Sequence, residues 1–344
     1  MISVGVIGAT GYAGVELTRL LLGHPGIRIA GLSSVTFEGK AISEVYPGFA
    51  GLCDVTLTDM DKVIEDAEVV FASLPHGLSE EIAEKCAREG RVLVDLGADF
   101  RLHDEGDYRE WYGLDYSYPE LHKKAVYGLS ELYREKIKAA DIIANPGCYP
   151  TSVALGLAPA MKNGLVLLDG IVIDSKSGVT GAGRSLTQNT HFPEANESIS
   201  AYKAGCHRHT PEIEQTLSEL AGERVAVTFV PHLLPVNRGI ESTIYCRLKE
   251  SLSLGEIHKI YTEFYLGERF VRVMPEGEYA AIKNVRCSNY CDISLHCDIR
   301  TNTLIISTVI DNMVKGAAGQ AIQNMNIRCG FDESAGLLLP PAII

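Results

Sequence analysis

The sequence of 344 residues is long enough for two domains, and its 46% hydrophobic and 22% charged residues are ordinary for a globular protein. Disorder, collagen and coiled coil are therefore excluded as descriptions of the whole chain. A formal net charge of −13 argues against nucleic-acid and anionic-membrane partners, because the long-range field repels phosphate, although it still allows an anionic small substrate.

Short apolar runs alternate with helical patterns through the first 147 residues. The pattern predicts helices over Gly11–Leu22 and Ser79–Glu89, and it predicts these strands: Ile2–Ile7, Ile27–Ser33, Val69–Ala72, Val92–Leu96 and Ile142–Ala144. Strands that alternate with helices build a parallel sheet covered on both faces. Residues 1–147 are therefore predicted to form an α/β domain of the Rossmann type.

Strands dominate after residue 148, over Ile171–Ser175, Val225–Val230, Ile240–Leu248, Ala281–Cys287, Cys291–Ile299 and Leu304–Ile310. Residues 148–311 are thus predicted to form a second, α+β domain with a largely antiparallel sheet, whose last two strands make a hairpin. One helix is expected between Thr210, as its cap, and Gly222, at its end, with Pro211 at its first position. A final helix is predicted over Asn312–Ile327.

A glycine-rich turn separates the first strand from the first helix. Gly8, Gly11 and Gly14 follow the spacing G-x-x-G-x-x-G. Glycines in this context let the backbone approach a diphosphate closely, and the helix N-terminus adds its amides and its positive dipole end. The turn predicts dinucleotide binding, and the alternative is a purely structural turn between a strand and a helix.

The end of the second strand favours NADP over NAD. An NAD site usually places an acidic residue there to bind the ribose hydroxyls. Here the strand ends in Ser33 and Ser34, and no acid follows before Glu38. The two serines and Lys40 can instead hold a 2′-phosphate; alternatively, the serines simply begin a loop.

Cys148 is the best candidate for a nucleophile. It follows a buried strand and precedes an apolar helix, so it is expected near the helix N-terminus, where the dipole favours a thiolate. Backbone amides at that position can also hold an oxyanion. From position alone, an inert thiol at a helix start is an equally good interpretation.

Two histidines that flank an arginine precede the helix predicted after Thr210. An imidazole from His207 or His209 can activate a thiol or supply a proton, and Arg208 between them can bind a carboxylate or a phosphate. The alternative is a polar surface loop.

No metal site is expected. The run Cys287, Cys291, His296 and Cys297 matches no common zinc spacing, and on a strand His296 points away from Cys291 and Cys297.

The sequence predicts a cytoplasmic protein with reduced thiols. It has an odd number of cysteines, nine, and no export signal, and it lacks a run of 18 apolar residues that could span a membrane.

Eight segments together resemble the N-acetyl-γ-glutamyl-phosphate reductase family of the aspartate-semialdehyde dehydrogenase-like superfamily. They are GATGYAG (8–14), SLPHG (73–77), DLGADFRL (95–102), ANPGCYPT (144–151), SGVTGAGR (177–184), HRHTPEI (207–213), FVPHLLPVNRGI (229–240) and DNMVKGAAGQAIQN (311–324). They occur in the expected order along nearly the whole chain. The pair NPGCYPT and HRHTPEI is specific, because the aspartate-semialdehyde enzymes carry a different motif around their cysteine.

The resemblance implies a role for each matching residue. Cys148 is the nucleophile, and His209 is the preferred acid/base of the pair with His207. Arg101 and Arg208 are candidates for binding substrate anions. The cofactor is implied to contact Gly8, Thr10, Gly11, Tyr12, Ala13, Gly14, Ser33, Ser34, Lys40, Ser73, Leu74, Pro75, Gly178, Gly181, Asn312 and Lys315. Residues 312–344 are implied to return to the cofactor domain.

The resemblance also implies the reaction, the NADPH-dependent reduction of N-acetyl-γ-glutamyl phosphate in arginine biosynthesis. The implied partner is a small acyl phosphate, and the implied assembly is a homodimer or homotetramer. The same chemistry on aspartyl phosphate or on a carrier-linked aminoadipyl phosphate is the close alternative, although the chain's charge of −13 fits an acidic carrier poorly. The remote alternative is a non-catalytic NADP-binding redox sensor. Such a protein would need neither Cys148 nor His209, and the sequence contains both.

Overall fold

A computed structural model describes residues 1–342 of the chain. Its strands are β1 (Ile2–Ile7), β2 (Ile27–Ser33), β3 (Leu57–Thr58), β4 (Val69–Ala72), β5 (Val92–Asp95), β6 (Val126–Tyr127), β7 (Ile142–Ala144), β8 (Ile171–Gly178), β9 (Ser200–Ala201), β10 (Val227–Leu234), β11 (Ile240–Arg247), β12 (Val271–Val273), β13 (Cys291–Asp298) and β14 (Thr303–Ile310). Its α-helices are α1 (Tyr12–Leu21), α2 (Ile42–Val45), α3 (Met60–Asp66), α4 (Ser79–Arg88), α5 (Glu105–Tyr112), α6 (Pro119–His122), α7 (Ser130–Ile137), α8 (Cys148–Lys162), α9 (Phe192–Ala195), α10 (Thr210–Ala221), α11 (Leu254–Phe264) and α12 (Gly319–Cys329). None of these helices is long and apolar enough to cross a membrane.

The chain divides into two compact units. The first comprises Met1–Pro146 and Ala317–Leu338, and the second comprises Gly147–Gly316 and the described part of the C-terminal tail. Each unit is built on its own seven-stranded sheet.

The sheet of the first unit is parallel and runs in the order β3-β2-β1-β4-β5-β7-β6. This confirms the predicted Rossmann-type architecture. Strands β3 and β6, of two residues each, lie at the two edges and were not predicted, because two residues carry no readable periodicity. Helices α3 and α4 cover one face with apolar residues such as Val63 and Ile82, which pack against Ile7, Val70 and Leu93.

Helix α12 belongs to the first unit and is attached by buried amide side chains. Asn324 donates from Nδ2 to the carbonyl of Gly128 at 2.7 Å and to Oδ1 of Asn145 at 3.1 Å. Gln320 donates from Nε2 to the same Gly128 carbonyl at 3.0 Å. These bonds connect the C-terminal segment to the end of β7, the last strand before Cys148.

The predicted helix from Asn312 starts later than expected. Residues Val314–Ala318 form a single π-helical turn, and regular α-helix begins only at Gly319. The carboxylate of Asp311 accepts the amides of Met313 at 2.8 Å and Val314 at 3.1 Å, which ends β14 in a turn before the helix can begin.

The sheet of the second unit is mixed and mostly antiparallel, in the order β12-β13-β14-β11-β8-β10-β9. The pairs β8–β10 and β12–β13 are parallel, and the other pairs are antiparallel. The predicted hairpin is confirmed, since Asp298 of β13 pairs with Thr303 of β14. Along β8 and β11 buried residues alternate with less buried ones, so the sheet has a face under helices α8 and α10 and an opposite, open face.

The predicted strand over Ala281–Cys287 is wrong. A 3₁₀ turn forms at Ile282–Asn284, and Cys287 adopts a left-handed conformation with φ of 61°. Ile282 and Val285 follow the three-residue spacing of such a turn, and Val285 is fully buried. Apolar content without strict alternation was therefore misread as a strand.

Candidate active site

The glycine-rich turn lies where three neighbouring strands of the first unit end. Gly8 follows β1 with φ of +79°, and a Cβ there would lie 2.3 Å from the carbonyl oxygen of Ser73, which follows β4. A Cβ on Gly14 would lie 2.2 Å from the carbonyl oxygen of Gly8. The amide of Gly8 donates to the carbonyl of Ser33, at the end of β2, at 3.1 Å. Only glycine fits this turn, whose backbone stays open to a close approach.

The turn stands at the switch point of the parallel sheet. Strand β1 has β2 on one side and β4 on the other, and ligands of such sheets bind where the strand order reverses. Helix α1 begins at Tyr12 with Gly11 as its N-cap and no side-chain cap, so the amides of its first turn suit an anion. The half-buried Ala13 belongs to the same turn. These residues therefore fit a dinucleotide diphosphate.

The residues predicted to bind the adenosine phosphate differ in exposure. Ser33 and Ser34 are buried, and the hydroxyl of Ser34 shares a hydrogen bond of 2.7 Å with Thr10 Oγ1. Tyr46 donates from its hydroxyl to the Thr10 carbonyl at 2.8 Å. Lys40 is exposed, with Nζ 5.9 Å from the centre of the Phe37 ring. The structure thus joins the glycine turn to the end of β2 through Thr10 and Ser34.

Ser73, Leu74 and Pro75 open the loop between β4 and α4. The amide of Ser73 donates to the Ile7 carbonyl at 2.9 Å, which holds the start of this loop beside the glycine turn. Ser73 and Leu74 are half-buried, and Pro75 is exposed. All three residues therefore lie at the carboxyl ends of the parallel strands, where the sequence predicts that the cofactor binds.

Arg101 is buried and bound to the main chain of its own unit. Its Nε donates to the Asn145 carbonyl at 2.9 Å, and its Nη2 donates to the Leu96 carbonyl at 2.8 Å. These bonds hold the end of β7 against the loop after β5. Its predicted role toward substrate anions stays a prediction, while this positioning role is a structural finding that the sequence did not indicate.

Cys148 is the first residue of α8 and is half-buried. The N-cap Gly147 has extended backbone angles and no side chain to cap the helix, so the dipole end of α8 lies at the thiol. Burial instead raises the pKa of the Cys86 and Cys246 thiols to about 12, as expected for core cysteines. Among these three thiols, Cys148 is the one placed for chemistry.

A buried carboxylate supports the start of α8. Glu212, the third residue of α10, accepts the Gly147 amide on Oε1 at 2.8 Å and is fully buried. Sequence analysis missed Glu212 as a functional residue, although it lies in the motif HRHTPEI. No spacing rule connects two residues that are 65 positions apart.

The two histidines lie next to each other before α10. Their ring centres are 4.8 Å apart, and the His209 amide donates to Nδ1 of His207 at 3.0 Å. Burial, followed by the charges of Lys203 and Arg208, lowers the pKa of His207 to about 4. His207 is therefore neutral at physiological pH, and its Nδ1 is occupied as an acceptor. Arg208 is half-buried between them.

An aromatic cluster connects these histidines to the helix of the cysteine. The ring of Tyr149, next to Cys148, lies 5.6 Å from the ring of His207 and 5.8 Å from that of His209. Tyr149 also shares a hydroxyl hydrogen bond of 3.0 Å with Tyr202. His209 is the N-cap of α10, so this helix begins beside the aromatic cluster. The structure therefore brings both predicted histidines together with the segment that carries Cys148.

Gly178, Gly181 and Asn312 meet around a second turn of this unit. A Cβ on Gly178 would lie 2.7 Å from the backbone of Asn237, and one on Gly181 would lie 3.7 Å from the amide nitrogen of Asn312. The side chain of Asn312 accepts the Gly239 amide at 2.7 Å and donates to Thr180 Oγ1 at 3.0 Å. Asn312 therefore ties two loops to each other; the role of all three toward the cofactor stays a prediction.

The π-helical turn at Val314–Ala318 packs on Cys148. A Cβ on Gly316 would lie 2.8 Å from Cβ of Cys148, so the turn leaves no room for a side chain at position 316. Sequence analysis missed Gly316. Lys315 is fully buried in the same turn, with Nζ 5.8 Å from the centre of the Phe270 ring. Its cofactor role likewise stays a prediction.

No group of three or more His, Cys, Asp or Glu side chains within residues 1–342 is arranged to hold a metal ion. The candidate functional residues of the described chain form two sets, each inside one unit. The first is the cradle after β1, β2 and β4, and the second is Cys148 with its supports His207, His209, Glu212 and Gly316.

Comparisons with known proteins agree with this division. The model of the semialdehyde dehydrogenase NAD-binding domain matches residues 3–140, and that of the semialdehyde dehydrogenase dimerisation domain matches residues 148–312. The aspartate semialdehyde dehydrogenase II of Vibrio cholerae, solved with ASA, shares the fold with a TM-score of 0.73 at 16% identity, over 96% of this chain and 98% of that one. The Candida albicans aspartate semialdehyde dehydrogenase, solved with NADP, gives a TM-score of 0.68 at 16% identity, over 95% and 98%.

Curated relatives are much closer in sequence. The N-acetyl-gamma-glutamyl-phosphate reductase of Clostridium botulinum (strain Eklund 17B / Type B) is 59% identical over 343 residues, which cover 99% of this chain and 100% of that relative. The enzyme of the same name from Brachyspira hyodysenteriae is 56% identical over 351 residues, with coverage of 99% and 100%. Because these matches run along the whole length, the chain belongs to the N-acetyl-gamma-glutamyl-phosphate reductase family.

Proposed function

We propose that this protein reduces N-acetyl-γ-glutamyl phosphate to N-acetylglutamate 5-semialdehyde with NADPH and releases phosphate, as a step of arginine biosynthesis. The relatives that match along the whole chain carry the name of this activity. The structural observation that carries the mechanism is the position of Cys148 at the first residue of α8, beside a turn of backbone that leaves no room for a side chain at Gly316.

The proposed reaction begins at the sulfur of Cys148. The thiolate attacks the acyl carbonyl, the carbon–oxygen bond to phosphate breaks, and a thioester remains on the enzyme. His209 takes the thiol proton and passes it to the leaving phosphate. NADPH, when bound, supplies the hydride that reduces the thioester carbonyl.

The chain's own groups then complete the reaction. Backbone amides at the start of α8 stabilise the alkoxide that forms on the substrate carbon. Collapse of that alkoxide breaks the carbon–sulfur bond, releases the aldehyde and regenerates the Cys148 thiolate, which the helix dipole stabilises. Neutral His207 holds the amide of His209 and so orients the acid/base.

The residues that hold NADPH belong to the first unit in this proposal. The glycine turn would hold the diphosphate, because Gly8 and Gly14 place no side chain against the neighbouring backbone. Ser33, Ser34 and Lys40 receive the 2′-phosphate, because no acidic side chain ends β2 to prefer free ribose hydroxyls. Gly178, Gly181, Asn312 and Lys315 keep the cofactor role that the family resemblance implies.

A spectrophotometric assay in the oxidative direction tests the proposal. The purified protein receives N-acetylglutamate semialdehyde, phosphate and NADP, and absorbance is followed at about 340 nm, where reduced nicotinamide absorbs. We expect reduction only with the acetylated substrate and only with phosphate, and less with NAD. Signal with aspartate semialdehyde instead, or activity without phosphate, would contradict the proposed substrate or the acyl-phosphate chemistry.

We also propose that two copies associate through the open face of the second sheet. Val172 and Tyr245 are directly opposite each other on β8 and β11 and are 36% and 38% exposed. Next to them, Nζ of Lys176 lies 3.4 Å from Oδ1 of Asp174 and 3.3 Å from Oε2 of Glu241. A surface with both charges can pair with its own copy across a two-fold axis. The family model that matches this part of the chain describes a dimerisation domain.

Light scattering after size exclusion tests the assembly. Tyr245→Glu should dissociate the oligomer, because it replaces one member of the exposed apolar pair Val172 and Tyr245 by a charge. Leu266→Glu is the control, since Leu266 is 86% exposed and follows α11. If Tyr245→Glu kept the mass of the wild type, the open face would not be the interface.

A cytoplasmic location remains part of the proposal, because a thiolate nucleophile requires a reducing compartment.

A further inference from the structure

We propose that Asp99 is a positioning residue for the loop of residues 73–78, and that the hydroxyl of Tyr108 holds the Asp99 carboxylate in the orientation this task requires. Neither side chain touches the cofactor in this proposal; both act through the backbone of the loop. The inference rests on the proposed function, which places Ser73, Leu74 and Pro75 along NADPH.

The Asp99 carboxylate binds both sides of the turn that closes the loop. Its Oδ1 accepts the amide of Gly77 at 2.7 Å, and its Oδ2 accepts the amide of Ser79 at 2.9 Å. Asp99 is fully buried, so these bonds are shielded from competing water. Gly77 has φ of +87°, a conformation that glycine adopts at little cost.

Helix α4 depends on this remote carboxylate for its cap. Its N-cap residue is Leu78, which makes no side-chain capping bond, and its first residue is Ser79. Asp99 accepts the Ser79 amide from 20 positions further along the chain, and its negative charge suits the positive end of the helix. A residue outside the loop therefore performs the function that a local Ser, Thr or Asp usually performs.

A second acidic side chain, Asp95, also binds Ser79 at the end of the loop. The hydroxyl of Ser79 donates to Asp95 Oδ1 at 2.7 Å, and the Gly97 amide donates to the same oxygen at 2.8 Å. The end of the loop is thus fixed to the turn after β5 by two buried groups. Between its fixed ends the loop is open to solvent, with Leu78 52% exposed.

Tyr108 completes the arrangement from α5. Its hydroxyl donates to Asp99 Oδ1 at 2.9 Å, and the residue is fully buried. Burial, and then the Asp99 carboxylate, raises the pKa of Tyr108, so the hydroxyl remains a proton donor at any working pH. Its ring packs against Tyr112 at 5.2 Å and Tyr116 at 5.1 Å between centres, which fixes the hydroxyl in place.

The function of such an arrangement is to prepare the loop before the cofactor arrives. A loop that must be ordered on binding lowers affinity by the entropy of ordering it, and a loop that is already anchored does not. The anchor contributes to binding and not to the chemical step, because Asp99 and Tyr108 touch none of the reacting atoms. Loss of the anchor should therefore raise the KM and Kd for NADPH and leave kcat at saturating NADPH nearly unchanged.

Tyr116 provides a matched control within the same aromatic cluster. Its hydroxyl also makes one hydrogen bond, to the carbonyl of Leu102 at 2.8 Å, but it makes no bond to Asp99 or to the loop. Tyr116→Phe removes one hydroxyl from a half-buried tyrosine, and Tyr108→Phe removes one from a buried tyrosine. A difference between them reports on the loop and not on the stability of the cluster.

The experiment measures NADPH binding by energy transfer from Trp111, the one tryptophan of the sequence, together with steady-state kinetics. Because Tyr108 acts on the loop only through Asp99, we expect part of the energy of its hydrogen bond to be lost at the loop, with a rise of about 3- to 10-fold in the Kd and KM for NADPH in Tyr108→Phe. The KM for the acyl phosphate and kcat should stay within about twofold of the wild type. Tyr116→Phe should match the wild type in all of these constants.

A graded variant strengthens the test. Asp99→Asn places an amide NH₂ against one of the two backbone amides, so we expect a larger rise in Kd than in Tyr108→Phe, again at nearly constant kcat. An unchanged Kd in Tyr108→Phe, an equal rise in Tyr116→Phe, or a fall in kcat at unchanged Kd would each overturn the inference. If Asp99→Asn fails to fold, Tyr108→Phe against Tyr116→Phe still decides.

Hydrogen exchange separates this inference from the proposed function. The amides of Gly77 and Ser79 should exchange faster in Tyr108→Phe than in Tyr116→Phe, with or without NADPH, because their acceptor is less well held. A wild type that binds NADPH, combined with unchanged exchange and unchanged Kd in Tyr108→Phe, would overturn only this inference. A wild type that binds no NADPH would overturn the proposed function and the role given to the loop with it.

Discussion

The amide of Gly147 donates to the buried carboxylate of Glu212 across 2.8 Å, and this bond holds the residue that precedes Cys148, the proposed nucleophile. Gly147 is the N-cap of α8 and Glu212 lies in the first turn of α10, so one hydrogen bond joins the starts of these two helices. The backbone that carries Cys148 is therefore held by a residue on another helix.

Glu212→Ala should lower kcat by about 10- to 100-fold, since small displacements of a reacting group have large effects. It should also lower the free energy of unfolding by about 1–3 kcal/mol, because the Gly147 amide loses its buried acceptor. Glu214→Ala is the matched control, since Glu214 on the same helix accepts the Val227 amide at 2.9 Å. Comparable losses of stability with loss of turnover only in Glu212→Ala would support the positioning role, and equal turnover in both would contradict it.

Cys148→Ala should abolish turnover and leave NADPH affinity unchanged, because no other thiol occupies the start of α8 in the described residues. In the wild type, iodoacetamide should label Cys148 much faster than Cys86 and Cys246, whose pKa burial raises to about 12. Peptide mass spectrometry after short exposure measures the order of labelling. Substantial activity in Cys148→Ala would rule out the thioester mechanism. The exposed Cys206 is the control: Cys206→Ala should keep full activity.

His209 and His207 should respond differently to substitution. His209→Gln should lower kcat by about 10²- to 10⁴-fold with little change in NADPH affinity, as expected for loss of a general acid/base. His207→Asn keeps an acceptor for the His209 amide and should cost less than tenfold in kcat, because neutral His207 only orients its neighbour. Steady-state kinetics distinguish them: the large loss of kcat should occur in His209→Gln and not in His207→Asn. The reverse pattern would exchange the two roles.

The sequence predicted candidate residues for the chemistry but not most of the contacts that hold them in the structure. Cys148 was recognisable because an apolar strand and an apolar helix flank it, and helix α8 does begin there. The support from Glu212 was invisible, since 65 residues separate it from Gly147 and only folding brings them together. The same holds for Gly316, which had no motif of its own before its closeness to Cys148 was seen.

The predicted elements failed where local pattern was weakest. Strand β1 follows from a continuous apolar run that a parallel sheet buries on both faces. The run Ala281–Cys287 is interrupted by Lys283, Asn284 and Arg286, and its apolar residues follow the spacing of a 3₁₀ turn, with Ile282 packed against Gly239. Contacts of this kind depend on a partner distant in sequence, which composition and periodicity do not reveal.

Asp95 should make stability depend on pH. Burial, and then the nearby Asp99 carboxylate, raises its pKa from the ordinary 3.8 to about 7, and its Oδ2 is buried without a hydrogen-bond partner in the described structure. The folded state therefore binds a proton more tightly than the unfolded state. The resulting stabilisation is complete below pH ~4 and is lost as the pH rises through about 7, by at most ~4 kcal/mol.

Asp95→Asn removes this titration and checks it. Urea unfolding of wild type and variant between pH 4 and pH 8 gives the difference between their free energies of unfolding. We expect the wild type to lose stability relative to Asp95→Asn as the pH rises through this range. A difference that stays constant with pH would show that Asp95 titrates at its ordinary value.

Gly316 should tolerate no side chain, for reasons of space alone. A Cβ there would lie 2.8 Å from Cβ of Cys148 and 3.3 Å from its Cα, which are rigid parts of the chain. Gly316→Ala should therefore displace the thiol and lower kcat by about 10- to 100-fold. The measurement is kcat together with the rate of iodoacetamide labelling at Cys148.

Gly255 in α11 is the matched control for this substitution. A Cβ at Gly255 would meet only the flexible end of Glu276, at 3.4 Å, so Gly255→Ala should keep full activity and gain up to ~1 kcal/mol of stability from helix propensity. Wild-type turnover in Gly316→Ala would mean that the turn at Val314–Ala318 can move away from the nucleophile. Loss of turnover with unchanged labelling would place the effect after formation of the thioester, because attack at the sulfur would then be intact.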